Sequence, residues 1–93
     1  MLKTTSTGDG ASVIALKLIA FLAGDGDRLE RFCALSGMSE QDLKASLQSL
    51  EFQGFVFDYA MQDESLLLEF AATEQIKPEQ LVPLRRKLPG FTE

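Results

Sequence analysis

From position 50 onward, apolar side chains recur twice at helical spacing. In Leu50 to Met61, Phe52, Phe55, Val56 and Tyr59 fall at i, i+3, i+4 and i+7 on one face, and Phe57 and Met61 add a second apolar stripe. This predicts a helix over 50–61 buried on more than one side. Gln62-Asp63-Glu64-Ser65 breaks the pattern, and the short Asp63 carboxylate suits it to cap the free amides of a following helix. Over about 64–75, Leu66, Leu67, Phe70 and Ala71 renew the 3.6-residue period. The two predicted helices hold five of the eight aromatic residues and the Leu66-Leu67-Leu68 run. Phe52, Phe55, Val56, Phe57, Tyr59, Leu66, Leu67 and Phe70 are therefore the expected core, or an interface wherever the fold leaves them uncovered.

The rest of the chain reads as helical. A first helix is predicted over about 12–23, capped by Gly10 or Ser12, with Val13, Leu16, Ile19 or Ala20, and Ala23 along its inner stripe. A second begins at Asp27, which with Glu30 forms a reciprocal cap, and turns Leu29, Phe32, Cys33 and either Leu35 or Ser36 inward. Gly37 suits the left-handed residue that closes such a helix. Ser39 caps a third, over about 40–48, with Asp42 in its first turn and Leu43, Leu47 and Leu50 on its buried face. Gly54, inside the helix at 50–61, costs about 1 kcal/mol against Ala, so either a neighbour comes close there or the helix bends. Pro78 opens a last helix at no cost, whereas Pro83 must kink it or restart it, leaving Leu81, Leu84 and Leu88 as anchors. These elements make an all-α, compact single domain of five to six short helices. Its helical part is expected over 11–90, after a disordered arm at 1–10 and before a tail at 91–93.

Composition adds limits more than content. Ninety-three residues suffice for one core without staples, and 45% hydrophobic against 25% charged residues is a globular balance. Cys33 has no partner for a disulfide and the chain has no His, which fits a reducing cytoplasm and leaves no Cys/His couple. The apolar run from Val13 to Ala23 is interrupted by Lys17 and is too short to span a bilayer, so a core helix is expected there rather than a signal peptide. The net charge of −5 disfavours nucleic acid and anionic lipid, and six acids with no Lys or Arg lie between Ala45 and Ile76.

Each candidate motif has a plainer explanation. The helices at about 28–36 and 40–48, joined through Gly37, have the outline of a helix-turn-helix. A DNA reader needs Arg, Lys, Asn or Gln aimed at base edges, whereas the second offers Glu40, Gln41, Asp42, Lys44 and Gln48, two of them acids that would face phosphate. Arg85-Arg86-Lys87 fits the carbonyl end of a helix. Gly24-Asp25-Gly26-Asp27 lacks the ligand spacing of a calcium loop, and Asp63-Glu64 is explained by capping. Cys33 reads as a core residue. No residues are assigned to catalysis, a cofactor, a metal or a small-molecule ligand.

The run FLAGDGDRLERFCALSGMSEQDL, followed by FVFDYAMQDESLLLEFA, KPEQL and the closing LPG, resembles a small bacterial family of uncharacterised proteins about ninety residues long, catalogued as a domain of unknown function. The most specific parts are Asp27 to Phe32, Gly37, and Asp63 to Leu67, within a match from Ala11 to Gly90. The resemblance implies five or six short helices and brings no activity with it. Leu50 departs from the family's helix-opening proline, and Pro83 from its plain last helix. The expected function is a small cytoplasmic protein–protein interaction module without catalysis, whose partner is another protein or a second copy. A helix-turn-helix regulator is the alternative.

Overall fold

Helix-forming sequence broken by capping residues dictates an all-helical chain, and the computed structural model describes residues 7–90 of it, with side chains from Gly10. Its elements are α1 (Thr7–Ala23), α2 (Gly26–Ser36), α3 (Glu40–Ala45), α4 (Leu50–Met61), α5 (Glu64–Glu74), a 3₁₀ turn (Pro78–Gln80) and α6 (Leu81–Arg86). Among the described residues there is no strand. Of the arm expected at 1–10, residues 1–6 lie outside the described residues and 7–10 form the start of α1, five residues before the predicted helix start. The tail at 91–93 also lies outside them.

Ser49 and Asp63 cap α4 and α5, their side chains accepting from Phe52 N at 3.1 Å and Leu66 N at 3.2 Å. Ser39 and Asp42 form a full capping box on α3, in which the Ser39 amide, then its hydroxyl, hold the Asp42 carboxyl below its ordinary range. The cap of α2 is Asp25, not Asp27: its carboxylate accepts from both Asp27 N and Arg28 N. Starting α2 at Gly26 places Asp27 in the first turn, where its charge meets the helix dipole instead.

The core centres on α4 and α1, the most extensively packed pair. The inner stripe of α1 is Ala11, Ala15, Leu18 and Leu22, with Ile19 beside it, while Val13 is exposed. The predicted stripe through Val13 and Leu16 had the wrong phase, because α1 is apolar on nearly every side and periodicity alone cannot choose its inner face. From α4, Phe52, Val56, Phe57 and Ala60 enter the core; from α5, Leu66, Phe70 and Ala71. Phe55, expected inside, is 42% exposed, and Leu68 is also exposed. α3 is shorter than predicted: Leu43 is buried, Leu47 half-buried, and Leu50 opens α4 as an exposed residue. Gln53, buried in α4, donates from Nε2 to Leu47 O at 2.9 Å and holds the intervening turn against the helix.

Next to Gln53 in α4, Gly54 and Arg85 explain each other. The Arg85 side chain is buried and forked onto Asp58, Nε to Oδ1 at 2.8 Å and Nη2 to Oδ2 at 3.0 Å. Its Nη1 donates to Leu88 O at 3.1 Å and Pro89 O at 3.0 Å. Arg85 is thus no exposed cation at a helix end but the latch that fastens the C-terminal turn to α4. A Cβ at Gly54 would lie 2.9 Å from Arg85 Cζ and Nη1 and 3.0 Å from Pro89 O, so the glycine marks a close approach rather than a bend. Gly54→Ala is expected to lower stability by about 1–3 kcal/mol in urea unfolding, despite alanine's better helix propensity, because the forked guanidinium cannot step aside. Pro83 restarts the chain instead of kinking one long helix: it falls in the first turn of α6, where no intrahelical donor is needed. Leu81 and Leu88 are buried anchors, and Leu84 is half-buried.

Candidate functional site

Helical spacing puts Arg28, Arg31 and Leu35 on one face of α2, at i, i+3 and i+7, and Phe55 and Tyr59 on one face of α4, which its C-cap Gln62 continues. Between these faces lies Phe32, fully buried, which meets three rings of α4 edge-on: Phe52 at 6.3 Å, Phe55 at 6.0 Å and Tyr59 at 4.9 Å between centroids. Phe52 and Phe55 stack at 6.4 Å. The ring cluster fills the space between the helices only partly. Above it opens a cavity of about 450 Å³, lined by Arg31, Leu35, Phe55, Asp58, Tyr59, Gln62 and Asp63. A smaller one of about 270 Å³, bounded by Arg28, Ser65 and Glu69, continues from Arg31, Tyr59 and Asp63 toward α5.

The floor of this groove is apolar and its walls carry opposite charges. Leu35, predicted as a possible inward residue of α2, is 66% exposed and lines the groove with the part-exposed Phe55. Arg28 is neutralised where it stands: it bonds Glu69 of α5, pairs with Asp25 at 3.4 Å, and lies over the Phe21 ring at 4.6 Å. Arg31 forms no ion pair among the described residues and stands beside the Tyr59 hydroxyl. Burial pushes the Tyr59 phenol above the usual tyrosine range, against the pull of Arg31 and with a smaller push from Asp63. Since the neutral phenol is favoured in the fold, its contribution to stability is present below the unfolded value of about 10 and is lost as pH rises through the folded one. Tyr59 is the single tyrosine, and the chain has no tryptophan. An alkaline absorbance titration should therefore show one phenolate midpoint, higher in the folded chain than in denaturant; equal midpoints would mean that Tyr59 is solvated.

Of the residues predicted for core or interface, Phe55 and Tyr59 line this groove; Phe52, Val56, Phe57, Leu66 and Phe70 lie beneath the surface, and Leu67 is half-buried. Arg31 and Leu35 were missed as site residues, although their spacing on α2 carries the signal. Among the described residues no group of three or more Cys, Asp or Glu side chains is placed to hold a metal ion. Nor is any of their helices long and apolar enough to cross a membrane. The second helix of the helix-turn-helix outline, α3, spans six residues and exposes Glu40, Gln41 and Asp42 beside Lys44.

A family model described as "Protein of unknown function (DUF3572)" matches residues 8–91, nearly the whole chain. The chain belongs to the DUF3572 family. No curated protein and no solved structure matches it. Membership agrees with the resemblance carried by Asp27 to Phe32, Gly37 and Asp63 to Leu67, and the groove can now be placed on those DUF3572 segments. Arg28 and Arg31 belong to the first; Asp63, Ser65 and Leu66 belong to the last.

Proposed function

We propose that this DUF3572 protein is a small, non-catalytic protein–protein interaction module of the bacterial cytoplasm, and that it docks its partner in the groove between α2 and α4. The observation that carries this reading is the exposure of Leu35 and Phe55 side by side over the Phe32 ring cluster. Scattered exposed apolar residues are ordinary, but two large ones lining a single groove with a charged rim are the pattern of a docking surface. Aromatic anchors suit such a role, since a ring brings contact area at little entropic cost.

The reading is tested by placing a photo-crosslinking side chain at position 35 in the cells that make the protein. The expected result is a discrete protein adduct, absent when the same group is placed at Gln41 on the acidic surface of α3. A crosslink to nucleic acid, or no adduct at either position, would contradict it.

A further inference from the structure

The groove's charge order narrows what can occupy it. Arg31 stands on the α2 wall, while Asp63 stands on the opposite wall, just past the carbonyl end of α4, and Asp58 beside it is already answered by Arg85. A purely basic segment would be repelled by Arg31, and a purely acidic one by the opposite wall. The groove fits a surface with an apolar centre flanked by an acid on one side and a base on the other, in reverse order. Its own face has that composition. Turned about a two-fold axis running along the groove, a second copy brings its Asp63 wall over Arg31 and its Arg31 over Asp63, with Leu35 and Phe55 of both copies meeting in the centre.

Two other places carry less. The cleft between α1, α2 and α3, about 340 Å³ and lined by Leu16, Ile19, Leu29, Leu43 and Leu47, has one charge of each sign at its rim and no order that selects a partner. Arg28, which with Arg31 would make an anion site, is already answered by Asp25 and Glu69.

We propose that the occupant of the α2–α4 groove is a second copy of this chain, giving an isologous dimer held by Leu35 and Phe55 and put in register by Arg31–Asp63 pairs across the axis. This rests on the interaction-module reading and names its partner. The test is sedimentation velocity of the full chain across a wide concentration range. The parent is expected to pass from a 10.2 kDa species to one of twice that mass. Leu35→Asp should stay monomeric wherever the parent is dimeric while keeping its circular dichroism and melting temperature, because the side chain is mostly exposed. Arg31→Glu should weaken association roughly tenfold, as each dimer loses two charge pairs. Asp63→Asn, which keeps the cap on α5, should weaken it in the same direction. A parent that remains monomeric at every concentration, or a Leu35→Asp variant that still dimerises, overturns the proposal. If the parent is monomeric yet position 35 still crosslinks to a different protein, self-association fails while the interaction module stands; if neither occurs, both fail.

Discussion

Replacing Asp58 by Ala is expected to lower the unfolding free energy by about 3 kcal/mol, because it removes the carboxylate onto which the buried Arg85 guanidinium is forked. The pair is asymmetric. The Arg85 side chain is almost fully buried, whereas that of Asp58 is 42% exposed and can be rehydrated when its partner is removed. The two retained bonds from Nη1 to Leu88 O and Pro89 O keep the loss near the lower end of what breaking a buried ion pair costs. Arg85→Met should therefore cost less than Asp58→Ala, since it removes the buried charge together with its need for a partner. Urea unfolding of the two variants decides the matter: the reverse order would mean that the latch works through packing rather than charge.

The second large effect belongs to the ring interior. Phe70 is fully buried and meets Phe21 edge-on at 5.6 Å, so Phe70→Ala should cost about 3–5 kcal/mol in thermal or urea unfolding. That is a large share of the stability of a domain this size. Phe55→Ala should cost only about 1 kcal/mol, because much of its ring already faces water and its remaining worth is contact with Phe32 and Phe52. Equal losses at the two positions would contradict the placement of Phe55 at the surface.

The bounds of α4 and α5 were legible in the sequence because each starts at a residue with one evident use, Ser49 or Asp63, and because the apolar pattern stops where the cap begins. Where two signals competed, the sequence did not decide. Asp25 and Asp27 both precede the apolar residues of α2, and only backbone geometry selects Asp25, whose extended conformation aims its carboxylate at two amides. α1 carries apolar residues nearly all round, so its inner face is set by what packs on it. The latch was half legible. Gly54 announced a close neighbour, but Arg85 sat in a basic triplet, and its pairing with Asp58, 27 positions away, is a property of the tertiary fold. The groove was the least visible feature, because local pattern does not distinguish a covered phenylalanine from an uncovered one. The rings of α4 were visible in the sequence; which of them the fold leaves uncovered was not.

The claim that names a partner is that a second copy of the chain covers the face carrying Leu35 and Phe55. Amide hydrogen exchange of the parent chain at low and high protein concentration tests this most directly. Slower exchange at high concentration is expected, confined to the second half of α2 and to residues 51–61 of α4, with α3 and α6 unchanged. Identical exchange at both concentrations, or protection appearing on α3 or α6 instead, would contradict it.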